Sequence, residues 1–300
     1  MVVDVNAFQL KWTIEKEHAG MLIREFLLEE KGISRRALTD IKFKGGTILL
    51  NGHPVTVRAV LEEGDCLAVQ FPPETPSCGM KGEDIPLDII YEDSFILIIN
   101  KPPFMPSIPS REHPKGTLAN ALIHYYEKIG LQSTVHIVNR LDKDTSGLMI
   151  IAKNRFVHSL FSLEQKNKRI ERTYEAVVHG LVEYDSGTID APIGRKEESI
   201  IERVVRNDGQ DAITHYRVIK RLKDRTLVSL KLETGRTHQI RVHMSHIGHP
   251  LVGDDLYGGK KDWIERQALH SKYVRFYHPL LGKELEFSTP LPEDMKNLIT

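Results

Sequence analysis

Cysteine is almost absent, with only Cys66 and Cys78 in 300 residues, too few for a disulfide framework or a cysteine-built metal site. Long apolar runs are absent too. None approaches the roughly 18 residues that a membrane-spanning helix requires, so no membrane partner is expected. The opening MVVDVNAFQLKW lacks the basic start and extended apolar core of a secretory signal. These gaps point to the cytoplasm. Net charge is also missing, since 41 Lys and Arg balance 41 Asp and Glu. That argues against nucleic-acid binding through bulk charge but says nothing about where the charges lie. There is no GxxxxGK phosphate loop, and Gly258-Gly259 reads as a turn. No internal repeat or low-complexity tail is found.

What is present divides the chain. Residues 1–72 read as a small α/β unit. Leu22, Ile23, Phe26 and Leu27 have helical spacing, Gly32 can end that helix, and Ser34 can cap a second one through Ala37, Leu38 and Ile41. An Asn-Gly turn inside ILLNGHPV predicts a hairpin, and Gly64-Asp65 a turn before a strand over Cys66–Phe71. Between Gly20 and Val60, seven Lys or Arg stand against four acids, a local excess hidden by the overall balance. Residues 73–85 have the Pro, Gly and polar content of a linker, and a weakly packed tether of this kind would let the small unit move.

From residue 86 to 300 the pattern is α+β, without regular βαβ repetition, which predicts a mostly antiparallel mixed sheet flanked by helices. Strands are expected over Ile89–Tyr91, Phe95–Asn100, Arg172–His179, Ala212–Arg221 and Thr226–Glu233. Helices are expected around Leu118–Tyr125 and over Arg155–Lys166, the latter with Phe156, Leu160 and Leu163 facing inward. Residues 236–248 follow a strand and a glycine and are expected to be helical, with Arg236, Ile240 and His243 on one face and Arg241 rotated away.

The stretch NRLDKDTSGLMIIAKN, residues 139–154, carries the most chemistry. Asp142 sits beside an arginine and ahead of a small polar turn. The apolar run Leu148–Ala152 then reads as a buried strand. A loop at the edge of such a strand is a place where rigid sheet can hold a reactive side chain.

This stretch resembles the signature of the large-subunit ribosomal RNA pseudouridine synthases. Three further segments resemble that family in the same order: INKPPFMPSIPS at 99–110, RTYEAVVHG at 172–180, and ETGRTHQIRVHMSHIGHPLVGDDLYG at 233–258, the last followed by ALHSKYVRFYHP at 268–279. The two short helices and hairpin of the first unit, with SRRAL opening the second helix, resemble the S-four-type RNA-binding domain.

The resemblance implies an RNA-modifying isomerase that needs neither metal nor organic cofactor. Asp142 would be its essential carboxylate. Tyr174 could stack on a flipped pyrimidine and offer its phenol for proton transfer. Arg241 would pair with the aspartate, Arg236 being the second choice. Leu269 would wall the target base, while Arg140 and Lys101 would contact RNA backbone or scaffold. Arg35, Arg36, Lys42 and Lys44 would meet phosphates. Two departures from the family stand out: Asn139 replaces the usual histidine before Arg-Leu-Asp, and Phe104 and Ile108 stand where a glycine and a histidine are favoured.

The expected partner is structured RNA, with ribosomal RNA favoured over transfer RNA, bound by a monomer. A rival reading keeps the fold without activity, as an RNA-binding or ribosome-assembly protein. A third, a metal-dependent hydrolase using His238, His243, His246 and His249, lacks the glutamate of HExxH. Polar contacts to backbone or RNA account better for those histidines.

Overall fold

In the computed structural model, which describes residues 8–76 and 80–300, two main sheets share no strand. The first seven residues, and residues 77–79 of the expected linker with Cys78, lie outside the described residues.

The small sheet is built by β1 (Gln9–Thr13), β2 (Thr47–Leu50), β3 (His53–Pro54) and β4 (Cys66–Gln70), in the order β1-β4-β2-β3. Between β1 and β2 lie α1 (Ile23–Glu25), which continues as a π-helical turn over Phe26–Glu30, and α2 (Arg35–Phe43). Ile23, Phe26, Leu27, Leu38 and Ile41 bury one side of these helices against the sheet. The Ser34 hydroxyl accepts from the Ala37 amide at 3.1 Å, capping α2 as its sequence suggests. Asn51 and Gly52 both adopt positive φ in the β2–β3 turn, the conformation that favours Asn-Gly in tight hairpins.

The large sheet begins with β5 (Ile89–Glu92) and β6 (Ile96–Lys101), followed by α3 (Leu118–Lys128), β7 (His136–Ile137), β8 (Ser146–Ala152) and α4 (Arg155–Lys166). Then come β9 (Ile170–His179), β10 (Ser186–Asp190), a small hairpin of β11 (Ile193–Arg195) and β12 (Arg203–Val205), β13 (Ile213–Arg221) and β14 (Arg225–Leu232). The remaining elements are α5 (Gln239–His246), β15 (Leu269–His278), β16 (Lys283–Ser288) and α6 (Glu293–Lys296). The main path runs β10-β13-β14-β9-β15-β8-β6-β5. Its pairings are antiparallel except β15 with β8, where Ser271 lies opposite Gly147.

All seven residues of β8 are buried. The reason is helices on both faces. Met149 and Ile151 pack with residues of α3 and α5, while Leu148 and Ile150 pack with Val157 and Phe161 of α4. A strand covered on both sides reads as a continuous apolar run, which is why it stood out.

Two expectations need correction. Leu163 is 52% exposed; the inner face of α4 is Phe156, Val157, Phe161 and Glu164 instead. The segment after β4 is not a loose tether in its described part. The Glu74 amide donates to the Gln132 carbonyl, and its carboxylate accepts from the Arg155 amide and pairs with His136. Phe71 stacks on Phe156 with ring centroids 5.1 Å apart, and Phe8 meets Phe95 edge-on at 6.0 Å. The small unit's apolar core thus includes a side chain from α4.

Candidate active site

The loop before β8 is pinned from several directions. The Ser107 hydroxyl donates to the Leu141 carbonyl at 2.9 Å. The Asp142 carbonyl accepts from the Thr145 amide at 3.1 Å, closing a turn. Lys101 donates to the Lys143 carbonyl at 2.9 Å and Arg266 to the Asp144 carbonyl at 3.1 Å. Gln267 reaches the Thr145 hydroxyl at 3.1 Å. Four successive carbonyls are therefore occupied, so the backbone under Asp142 has little freedom. Gly147, at φ +113°, lets β15 cross closely, because a Cβ there would collide with the Ser271 carbonyl.

Asp142 projects from this loop into a cleft of about 560 Å³, which Tyr174, Arg241 and Leu269 also line. Tyr174 comes from β9, paired with Leu230 on one side and Ser271 on the other. It shares its apolar cluster with Ala176, Val178 and Leu269, as the period of two requires. Tyr174 and Leu269 are 5% and 4% exposed, showing the cleft only their edges.

Arg241 extends from α5. Two of its nitrogens donate to the two Asp254 oxygens at 2.7 Å each, and the third, Nη1, lies 3.3 Å from Asp142 Oδ2. Burial works against the guanidinium's charge, but the Asp254 bonds and the nearby carboxylates outweigh it and push its pKa up. Its plane also lies over the Tyr257 ring.

His238 is the other group beside Asp142, with Nε2 at 3.8 Å. Burial lowers its pKa, against the pull of Asp142. Tyr257 Oη accepts from the Arg203 amide at 2.9 Å and lies 2.8 Å from His238 Nδ1. Where the Tyr257 hydroxyl donates to Nδ1, a neutral imidazole would present a proton on Nε2 toward Asp142.

Lys101 does not reach RNA. It is fully buried, and its ammonium donates to the carbonyls of Pro102, Met105 and Lys143 at 2.9 Å each. Burial brings its pKa down to about 7, opposed by Asp144 and Asp142. Of the two places left open for it, only scaffold fits.

Arg236 lines the cleft but precedes α5, because His238 takes a left-handed conformation and the helix begins at Gln239. Its Nε donates to the Asp211 carbonyl, so the expected helical face with Ile240 and His243 does not form. Arg140 is exposed at the rim, where Arg172 and Lys143 add charge.

Arg35, Arg36 and Lys42 of α2, and Lys44 just after it, are all exposed. They do not form one face: Arg36 and Lys44 line a second cavity, whereas Arg35 and Lys42 do not.

The departures have structural readings. Asn139 is buried and accepts from the Ile150 amide at 2.8 Å, anchoring the start of the segment to β8. Phe104 stands at φ +62°, a conformation that a glycine would adopt without strain. Ile108 is exposed at the cleft. His243 is committed to Thr214 and the Ala191 carbonyl, and His249 to the His179 carbonyl. Among the described residues, the three-residue group able to converge on an ion is Glu15, Glu17 and His18, away from these histidines.

Asp254 and Arg266 escaped the sequence reading. Both lie in or beside segments already singled out; Asp254 follows Gly253, which gives a local signal, whereas Arg266 stands between Glu265 and Gln267 and has none. Gly253 beside Asp254 has φ +79°, and a Cβ there would meet the Arg266 carbonyl.

Comparison with known proteins gives the family. A profile of the RNA pseudouridylate synthase family fits residues 95–246. An uncharacterized RNA pseudouridine synthase of Bacillus subtilis, YjbO, is 55% identical over 95% of this chain and 97% of its own. Ribosomal large subunit pseudouridine synthase D of Escherichia coli K12 is 40% identical, covering 94% of this chain and 86% of its own. The structure of human RNA pseudouridylate synthase domain containing 1 superposes with a TM-score of 0.57 at 27% identity, over 70% of this chain and 85% of that one. The chain belongs to the RNA pseudouridylate synthase family and is an RNA isomerase.

Proposed function

We propose that this enzyme isomerises specific uridines in large-subunit ribosomal RNA, with Asp142 as the catalytic carboxylate. The observation that carries the proposal is the convergence of Asp142, Arg241, Tyr174 and Leu269 on one cleft, with Asp142 on a loop whose carbonyls are held from behind.

The glycosidic bond of a stacked base is out of reach, so the target nucleotide must leave its helix. That costs roughly a few kcal/mol, offset by phosphate contacts at the basic rim of Arg140, Arg172 and Arg236. The flipped uracil would lie against Leu269 and Tyr174. Asp142 then promotes cleavage of the bond between ribose and nitrogen 1, by attacking the sugar or by taking a proton from it. The freed uracil turns and rejoins through carbon 5, and Tyr174 assists loss of the carbon 5 proton. Arg241, fixed by Asp254, orients the carboxylate.

The small N-terminal unit up to residue 72 serves as an RNA-binding module of the S-four type, and residues 86–300 as the catalytic domain. The ribosomal target is supported by the 40% identity to ribosomal large subunit pseudouridine synthase D. The enzyme would act in the cytoplasm as a monomer.

The test is Asp142→Asn, which keeps the side chain's size. Isomerisation should vanish while RNA affinity is kept, and near-normal turnover would overturn the assignment. Mapping pseudouridines in large-subunit ribosomal RNA from cells lacking the protein tests the target; an unchanged map would reject it.

A further inference from the structure

The catalytic cleft and the second cavity lie at opposite ends of α4. Gln165, near its C-terminal end, lines the cleft, and Arg155 and Ser159 at the other end line a cavity of about 370 Å³ against α2. Between them Arg155, Ser159, Ser162 and Lys166 are all exposed. Their spacing of four, three and four residues puts them on one stripe, about 16 Å long at 1.5 Å per residue.

The chemistry of this stripe is one-sided. It holds two cations and two hydroxyls and no carboxylate; the one acid of the helix, Glu164, is buried on the far side. Neither the Arg155 nor the Lys166 side chain forms a close ion pair among the described residues, the Arg155 charge being felt by Asp40 and Glu74 only from farther away. In a chain whose total charge is zero, that is a local surplus.

At the α2 end the surplus grows. Arg36, Lys44 and Arg155 line the same cavity, and they share the single Asp40 carboxylate, whose pKa they lower, Lys44 most strongly through its hydrogen bond. The other acid there, Glu74, is already occupied by the Arg155 amide and by His136. Phe71 on Phe156 fixes the two units against each other at this point, so the cations of α2 and α4 keep their spacing.

We propose that the exposed stripe of α4 is a backbone track for RNA, which carries the strand from the catalytic cleft to the cavity where Arg36, Lys44 and Arg155 hold its phosphates. This rests on the reading of the cleft as an RNA site. Cations and hydroxyls in a row, bordered by a single large exposed apolar side chain, Leu163, suit phosphate contacts rather than a folded protein partner. Arg155 is the link between the two units, because it belongs to α4 yet stands among the cations of α2.

The experiment compares wild type with an Arg155→Gln/Lys166→Gln double variant and with Arg155→Lys. Each is titrated with a large-subunit ribosomal RNA transcript and with a short stem-loop that fills only the cleft. For the long RNA the double variant should bind roughly five- to tenfold more weakly and show a salt slope shallower by about one to two. The stem-loop should lose less, and Arg155→Lys should restore most of the affinity. Equal loss on both RNAs, or an unchanged salt slope, would overturn the track. Isomerisation by the wild-type protein is measured on the same RNA. If wild type isomerises normally while the slope is unmoved, the track alone fails; if the slope responds but no uridine is converted, the reaction assignment fails instead.

Discussion

Asp254 grips Arg241 through two bonds of 2.7 Å and so decides where the remaining guanidinium nitrogen points, which is at Asp142, 3.3 Å away. Asp254 itself is 1% exposed. Asp254→Asn would set an amide N–H₂ against guanidinium donors and leave a buried cation without its partner. Breaking such a pair costs about 3–5 kcal/mol, so thermal unfolding should show a clear fall in midpoint, and single-turnover isomerisation should slow as Arg241 loses its orientation. Arg241→Lys should not rescue, since one ammonium cannot serve both carboxylates in the same geometry. Wild-type stability and rate in Asp254→Asn would contradict this.

A second arginine works from behind the loop. Arg266 pairs with Asp294 of α6 through bonds of 2.6 and 3.0 Å, while Nη1 donates to the Asp144, Gln267 and Leu269 carbonyls. It thus ties the C-terminal helix to both Asp142's loop and the wall of the cleft. Arg266→Met should lower kcat roughly tenfold to a hundredfold, the scale of a misplacement near 1 Å, with KM changed much less. Arg266→Lys should recover part of kcat, because an ammonium can still reach one or two carbonyls. A defect confined to KM would mean that Arg266 acts on RNA binding rather than on loop position.

Much of this arrangement was legible and some was not, for physical reasons that differ by residue. The strand after Asp142 could be read because burial on both faces leaves an unbroken apolar run. Tyr174 was traceable through strand period and family resemblance, Leu269 through resemblance alone. Arg241's contact with Asp142 spans 99 residues, and nothing local announces it; the resemblance supplied it. Resemblance did not supply Asp254, whose carboxylate is consumed inside the fold. Lys101 was open between RNA and scaffold because a lysine is usually solvated, and only three converging carbonyls explain its burial. Arg236 misled because the left-handed turn at His238 delays the helix by one turn, and helical spacing cannot foresee that. Leu163 misled because α4 packs on the sheet through Val157 and Phe161, a face rotated from the one its leucines suggested.

The junction between the two units is the next place to test. Phe156 is 4% exposed and stacks on Phe71 in the small unit's core. Phe156→Ala should cost about 3–5 kcal/mol and lower the unfolding midpoint of the whole chain. Deleting residues 1–75 removes Phe71 and Phe8 and bares Phe156 and Phe95, so the truncated chain should unfold earlier as well as bind long RNA more weakly. Calorimetry of both proteins checks this. A truncated chain as stable as the full one would mean that the aromatic contacts add nothing to the catalytic part.

Acid should destabilise the protein in a window set by His270. This side chain is 1% exposed, with Nδ1 2.9 Å from the Ser146 hydroxyl and Nε2 buried without a hydrogen-bond partner. Burial, then the charges of Arg266 and Lys272, bring its pKa down to about 4, with Asp294 and the Pro290 carbonyl opposing only weakly. The unfolded chain takes up a proton at this residue below about 6.5, whereas the native chain does not until about 4. Between those values the unfolded state binds more protons, so stability falls as pH drops from 6.5 to 4 and, for this group, levels off below. The whole effect is about 3 kcal/mol. Asp93, which burial would push up, is instead held down to about 2 by His278, 3.3 Å away, and by hydrogen bonds from the Phe95 and Ile96 amides, and it acts in a separate and lower window, below the ordinary carboxylate range. His270→Asn keeps a polar atom toward Ser146 and cannot protonate in this window. Its unfolding free energy, measured by denaturant titration at successive pH values, should therefore decline less steeply between 6.5 and 4 than that of wild type. Identical slopes in the two proteins would mean that His270 takes up its proton in the native state at the ordinary pH, and that the space around it opens to water.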